Sequence, residues 1–401
     1  MTALNTDREH FRQMLRPTPF FPRLDALNMR RDWGGWPGWL AANAFYDPMV
    51  EYFTMRTQAT LYDLSPMTKY RIEGPDAEAF LNRLLTRNVA KQRPGRVAYC
   101  LWCDDHGHVL DDGTLFRFSA TRFRLCCQER HLPWLLDTAR GFQVTVEEET
   151  EAVAGLALQG PCSAAILRRL KIAEVETLKP FDLAETSFDG KPLTISRTGF
   201  TGDLGYELWT APEDALALWD RLWDAGQEFR LSAMGSTALN LARLEAGFIM
   251  ARTDFVPAEH ALRDTRGRSP FELGQEKQVD FAKGHFNGRR ALLAQQEAGP
   301  KYCLVPLELE GHKTATGSLV YHRAKHEVGF LTTAAWSPTC KRNLALASLR
   351  RPYGAERTDD LWVEVYVLKE LKWDKVMARA RVVEKPFFQP PRRRLTPPAD
   401  F

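Results

Sequence analysis

The stretch Ser196-Arg197-Thr198-Gly199-Phe200-Thr201-Gly202-Asp203-Leu204-Gly205-Tyr206-Glu207-Leu208 decides how this chain is read. Glycines recur at 199, 202 and 205, which gives a backbone that turns sharply and lets a ligand come close. Tyr206-Glu207-Leu208-Trp209 then reads as a strand. It sets the Glu207 carboxylate on a rigid element beside a glycine-lined gap. A carboxylate accepts two parallel N–H bonds and suits a flat, nitrogen-rich ring. The three glycines do not form GxGxxG, and neither a GxxxxGKS/T phosphate loop nor a GxSxG nucleophile turn occurs.

Working outward, residues 69–72, 97–103, 109–118, 123–127, 142–147 and 154–158 read as strands. Helices are expected from Pro75, over 131–140, after Gly160-Pro161, from Pro212 and over 233–247. The helix from Pro212 carries Leu216, Trp219, Leu222 and Trp223 on one face. Past residue 300 the texture changes. Short strands at 302–309, 318–322, 327–332, 344–349, 361–368 and 376–383 alternate with turns, the spacing of a small antiparallel barrel or sandwich. The whole reads as α+β with an all-β end. Trp33, Trp36 and Trp39 sit in a glycine-bearing loop, where they line an aromatic pocket or plug a domain junction.

Bulk composition excludes several classes. The chain has 401 residues, with 54 basic and 51 acidic side chains and a net charge of +3. No broad positive field for nucleic acid is implied. There is no long apolar span and no apolar signal core in residues 1–19, so no membrane partner and a cytoplasmic location are expected. Seven scattered cysteines do not make a disulfide framework. Cys100 and Cys103 have zinc-ligand spacing without a second pair, and His106-Gly107-His108 offers too few ligands, so no metal is expected. The Arg392-Arg393-Arg394 run reads as a solvated tail, with contact to an acidic substrate or ligand tail as the other reading.

The opening stretch resembles the "SRTGYTGEDGYE" segment of the tetrahydrofolate-dependent aminomethyltransferase family, founded on the glycine-cleavage T-protein. Further matches follow in order along nearly the whole chain. They are Arg56 to Ser65, Gly74 to Leu81, Tyr99 to Asp112, Ala157 to Pro161, Arg243 to Gly247, Lys283 to Leu292, Val328-Gly329 and Ser337-Pro338. The resemblance implies a multi-domain α+β fold with a folate-binding region over 1–295, two interleaved subdomains split near 50 and 150, and a C-terminal antiparallel β-barrel over 296–401. It implies tetrahydrofolate as cofactor, whose glutamate tail is an acidic group open to the Arg392–Arg394 run, Glu207 on the pterin ring with Tyr206 beside it, Tyr99 as the folate-side aromatic and a catalytic residue, and Asp112 as the catalytic carboxylate beside the folate nitrogens. From the residues alone, neighbouring strand positions face opposite ways, so only one of Asp111 and Asp112 can enter a given pocket.

The chain also departs from the family pattern. Where T-proteins carry an arginine four residues before Arg243, this chain has Leu239. Exchanging a cation for an aliphatic group disfavours a lipoyl-borne aminomethyl group and favours a free apolar or aromatic methyl donor. His285 and Arg289-Arg290 replace the residues of the related iron–sulfur maintenance proteins, which argues against that role. The tail after Pro386-Phe387 has no tyrosine. The expected activity is therefore a demethylase moving a methyl from a small donor to tetrahydrofolate. An aromatic methyl ether is the favoured donor and a methylated sulfur compound the next, with Trp33, Trp36 and Leu239 at the donor pocket. The alternatives are a glycine-cleavage aminomethyltransferase served by a lipoyl carrier protein and a non-catalytic folate-binding assembly factor.

Overall fold

The computed structural model of the chain describes residues 15–311, 313 and 315–399. Residues 1–14, most of the stretch read for a signal core, lie outside them.

Two sheets pack face to face. One has six strands in the order Leu183–Phe188, Lys191–Ser196, Gly205–Thr210, Ala154–Gln159, Thr60–Asp63 and Ser232–Ala233. The other has five, in the order Arg96–Cys103, Val109–Arg117, Arg122–Cys127, Thr68–Glu73 and Thr145–Glu148. Tyr62, Leu64, Val97, Phe116, Cys126, Ala157 and Trp209 form the core between them.

Helices cover the outer faces. Ser163–Arg169 and Ala215–Gly226 close over the six-stranded sheet, burying Ile166, Leu218, Trp219 and Leu222 against Leu156, Leu208 and Tyr206. Ala77–Leu84 and Leu132–Thr138 close over the five-stranded sheet, burying Phe80, Leu81 and Leu135 against Tyr70, Ile72 and Leu125. Each helix hides its apolar stripe, and the central strands of the six-stranded sheet feed a core on both sides. That explains why Gly205–Thr210 is buried at every position.

The third part is a closed antiparallel barrel in the order Tyr302–Leu309, Arg342–Arg350, His326–Ser337, Leu319–His322, Leu361–Lys369 and Lys372–Val382. The strand Tyr302–Leu309 pairs onto Lys372–Val382 to close the ring. Inward alternation of Val305, Leu307, Leu309, Ala345, Ala347, Leu349, Val363 and Val365 fills it. The barrel strands fall where alternation places them, and His326–Ser337 runs five residues further than expected, to Ser337.

Two elements differ from expectation. The tryptophan-rich segment is a hairpin, Asp32–Trp36 paired with Trp39–Ala44, and not a loop. The helix over 233–247 is shorter, Ser236–Glu245, because Ser232–Ala233 joins the sheet beside Thr60–Asp63. No helix among the described residues is long and apolar enough to cross a membrane.

Candidate active site

A cavity of about 1030 Å³ opens at one end of the inter-sheet core. Tyr99, Asp112 and Cys126 face it from the five-stranded sheet; Tyr62, Ala157, Gln159 and Glu207 face it from the other. The hairpin contributes Trp36, the helix Ser236–Glu245 contributes Leu239, Asn240 and Arg243, and residues 247–252 and Arg393 close the rest.

Asp112 is placed by the sheet. Leu101 pairs with Asp112 and Tyr99 with Thr114, so Tyr99 and Asp112 are diagonal neighbours on one face. The Tyr99 hydroxyl donates to Asp112 Oδ2 at 2.7 Å. Gly113 follows because a side chain there would drive into the Cys126 carbonyl of the adjacent strand. Burial and the neighbouring Asp111 charge raise the Asp112 carboxyl from 3.8 to about 7, against the lowering effect of the Tyr99 hydrogen bond. Asp111 points the opposite way, fully buried behind the wall.

Glu207 lies on the facing sheet, 7% exposed. Burial raises its carboxyl from 4.5 to about 7, opposed by the Thr198 hydroxyl. A buried carboxyl on a rigid strand is a receptor awaiting N–H donors. Tyr206, by alternation, is on the other face. It is fully buried in the helix-covered core, its hydroxyl unpaired among the described residues, and it does not line the cavity. The expectation of a folate contact from Tyr206 is corrected on that ground.

The glycine triad has a different task from the one its spacing implied. Side chains at Gly199 and Gly205 would each drive into the amide of Gln159, and one at Gly202, where φ is +71, into Ala246. The glycines make room for Gln159, which donates to the Thr198 carbonyl at 3.2 Å and accepts from the Thr201 hydroxyl at 2.7 Å. Gly199 alone of the three lines the cavity. The charges of the segment hold residues further along the chain. Arg197 donates to the Leu395 carbonyl at 2.6 Å and the Thr396 hydroxyl at 2.9 Å. Asp203 accepts a bidentate pair from Arg392 at 2.6 and 2.8 Å.

That strap overturns the solvated-tail reading of the arginine run. It carries Arg393 into the cavity wall, its guanidinium 5.2 Å above the Phe248 ring. No hydrogen bond or ion pair of the Arg393 guanidinium is found among the described residues, and burial lowers its pKa. A half-buried cation at the mouth of an aromatic cavity fits an anionic ligand group.

Of the donor-pocket residues, Leu239 and Trp36 line the cavity, with Trp36 6.3 Å from the Tyr62 ring. Trp33 does not: it lies three residues from Trp36 on the same strand, hence on the other face, and packs on Phe21 at 5.3 Å. The aromatic wall is instead Trp36, Tyr62 and the stacked pair Phe200–Phe248, 5.6 Å apart.

Sequence reasoning missed Arg252 and Arg243 as cavity residues. Arg252, with φ +63, is paired with Glu129 through Nε and, at 2.8 Å, through Nη2. Arg243 is fully buried, paired with Asp254 and donating to the Thr333 hydroxyl of the barrel at 2.9 Å. The barrel thus holds the helix that presents Leu239. Cys100 and Cys103 are free, on a strand and buried in two different cores, and burial pushes both thiols up.

Residues 2–265 match the GCVT N-terminal domain and residues 303–389 the glycine cleavage T-protein C-terminal barrel domain. The chain is 31% identical over 391 residues to an aminomethyltransferase of Bacillus subtilis, spanning 94% of this chain and 100% of that protein. It is 32% identical over 388 residues to an aminomethyltransferase of Anoxybacillus flavithermus, spanning 94% and 99%. In fold it is similar to the crystal structure of glycine cleavage system aminomethyltransferase T from Bartonella henselae, with TM-score 0.81 and 24% identity over 94% of this chain and 99% of that one. Two matched domains in order, a relative spanned end to end and a shared fold lead to one statement: the chain belongs to the glycine cleavage T-protein (GCVT) family, whose chemistry is tetrahydrofolate-dependent one-carbon transfer.

Proposed function

We propose that this chain is a cytoplasmic tetrahydrofolate-dependent demethylase that moves a methyl group from a small donor to tetrahydrofolate, giving 5-methyltetrahydrofolate. The observation that carries the reading is Leu239, which turns an aliphatic side chain into the cavity where the T-protein pattern has an arginine. With Trp36 and Tyr62 it favours an aromatic methyl ether, then a methylated sulfur compound. The residues present fit the folate: a buried carboxyl at Glu207 for the pterin edge, aromatic walls, and Arg393 for the anionic tail.

When bound, tetrahydrofolate supplies the N5 amine as nucleophile for an in-line displacement. Asp112, held by Tyr99, takes the N5 proton as the methyl bond to the donor breaks. For an ether it returns that proton to the departing oxygen, and for a sulfonium it releases the proton to solvent. A carboxyl near pKa 7 suits both directions of this transfer. Glu207 fixes ring orientation, and the apolar wall excludes water.

The test is to incubate the protein with tetrahydrofolate and methoxybenzoates or dimethylsulfonium compounds and to measure 5-methyltetrahydrofolate. Formation with one donor class is expected. Ammonia release from a lipoyl carrier bearing an aminomethyl group, with no methyl transfer, would establish the second reading, glycine-cleavage aminomethyl transfer. The full-length similarity to aminomethyltransferases favours that alternative. Folate binding with no turnover of either kind would leave an assembly factor.

A further inference from the structure

Behind the cavity wall, on the face of the strand Val109–Arg117 turned away from the pocket, lies a buried charge chain that the reaction above does not use. Asp111 is fully buried. Its Oδ1 accepts the Asp112 N–H at 2.8 Å and its Oδ2 the Glu129 N–H at 2.9 Å. The same Oδ2 lies 3.2 Å from Nε2 of His131, which is 1% exposed, and His131 Nδ1 lies 3.3 Å from Glu259. The imidazole stands edge-on to Trp102 at 5.4 Å, and its backbone N–H donates to the Tyr70 hydroxyl at 2.6 Å. A ring placed between two carboxyls favours the imidazolium, which donates from Nε2 to Asp111 and is ion-paired with Glu259, whose carboxylate lies outside hydrogen-bond geometry to Nδ1.

Asp111 therefore anchors two residues that face the cavity. One is Asp112. The other is Glu129, whose carboxylate holds Arg252. Without its counter-charge, Asp111 would repel Asp112 unopposed.

We propose that His131 is a positioning residue for Asp112: as an imidazolium it anchors Asp111, fixes the backbone from which Asp112 projects, and offsets the Asp111 charge there. The importance of that control for turnover rests on the proposed reaction; the control itself does not. Burial pushes the His131 imidazole down, but its contacts with Asp111 and Glu259 prevail and raise it to about 9, so the cation persists through neutral pH. The groups without positive charge that act on Asp112 include the Tyr99 hydroxyl, Asp111, the Cys100 and Cys127 thiols of adjoining strands, and Asp254 from the loop after the helix Ser236–Glu245. Each of these either repels the ionised Asp112 or is neutral. Arg243 and Arg252 line the same cavity, each paired with its own carboxylate, and Arg252 also acts on Asp111; His131 is the cation in direct contact with Asp111.

The experiment is a carboxyl carbon-13 NMR titration of the whole chain with labelled aspartate and no ligand, the Asp112 signal assigned by its loss in Asp112→Asn. His131→Gln keeps an N–H donor for Asp111 and removes the charge. Its Asp112 midpoint is expected to move up by about half a pH unit or more. A midpoint equal to that of the unsubstituted chain would overturn the proposal. If His131→Gln does not fold, Glu259→Gln carries the test, since that carboxyl is 41% exposed. In that variant His131 loses its proton at lower pH, and the Asp112 signal shifts with it; Asp112 curves that superimpose on those of the unsubstituted chain overturn the proposal. Because no folate is present, either result is independent of the reaction assay. A protein that fails to make 5-methyltetrahydrofolate yet shows the shift refutes the reaction and keeps the inference.

Discussion

The strands Val109–Arg117 and Gly205–Thr210 each carry two adjacent polar side chains turned to opposite faces: Asp112 and Glu207 into the cavity, Asp111 and Tyr206 into the layers behind. Both cavity carboxyls are raised to about 7, by different means. Glu207 is raised by enclosure, with the Thr198 hydroxyl opposing. Asp112 is raised by enclosure and by the Asp111 charge, with the Tyr99 hydroxyl opposing. Behind Glu207 lies an apolar core. Behind Asp112 lies an ionic one, Asp111–His131–Glu259. One backbone device thus supports a carboxyl raised by desolvation alone and another raised also by a neighbouring charge. Only the second can be retuned without touching the cavity.

The sharpest way to break this comparison is to neutralise both rear layers. Asp111→Asn leaves His131 facing Glu259 with its main partner gone. Breaking a buried pair this way costs about 3–5 kcal/mol, read by urea unfolding. Tyr206→Phe removes a hydroxyl that has no partner among the described residues, so its stability should stay within about 1 kcal/mol of the parent. Equal losses in the two variants would mean that the two rear layers do not differ.

Exchanging the cavity members should affect function and not folding. Asp112→Asn is expected to slow single-turnover methyl transfer by ~10²-fold or more, about 2.7 kcal/mol of barrier, while tetrahydrofolate affinity falls far less. Asp111→Asn, where folded, should keep most of its rate at its own optimum. If Asp111→Asn is the inactive variant and Asp112→Asn turns over normally, the roles of the two faces are reversed.

Glu207→Ala should show the complementary pattern, losing most of the thermal shift given by saturating tetrahydrofolate, through loss of about 1.5–3 kcal/mol of charged hydrogen bonding. An unchanged affinity would remove Glu207 from the ring site. The smallest effect is in pH. With a folded pKa raised above the unfolded value, each carboxyl binds its proton more tightly in the native state. Its contribution to ligand-free stability is therefore lost as pH rises from about 4 through about 7. Bound N–H donors favour the ionised Glu207, so the thermal shift from tetrahydrofolate should grow between pH 5.5 and 8, and Glu207→Gln should flatten that growth.

Much of the frame was legible because it rests on local periodicity. The alternation over Tyr302–Leu309 marks that strand to the residue. It separates Asp111 from Asp112, and the same argument applied to Tyr206 and Glu207 separates those two. The hairpin Asp32–Ala44 was hidden by its glycines, and the helix Pro48–Thr57 by Glu51 and Arg56, which are polar yet buried. Glu51 accepts from the nearby Phe45 and Tyr46 N–H groups, but its other partner, the Gly235 N–H, and the Arg56 partners Asp203 and Glu245 lie more than a hundred residues away. Arg252, Arg393 and the crowding of Gln159 by two glycines are likewise long-range facts, to which no local pattern points.

The strap over Asp203 and Arg197 bears on how the protein is made. Synthesis runs from the N-terminus, and regions fold as they emerge. Both sheets, with Asp112 and Glu207 in place, leave the ribosome before the barrel strand that steadies Arg243 and before Arg392 and Arg393. A nascent chain can thus fold its two walls while one side of the cavity stands open. The Arg393 cation joins the cavity wall as a late event in translation, when residues 392–396 reach back across almost two hundred positions to Arg197 and Asp203.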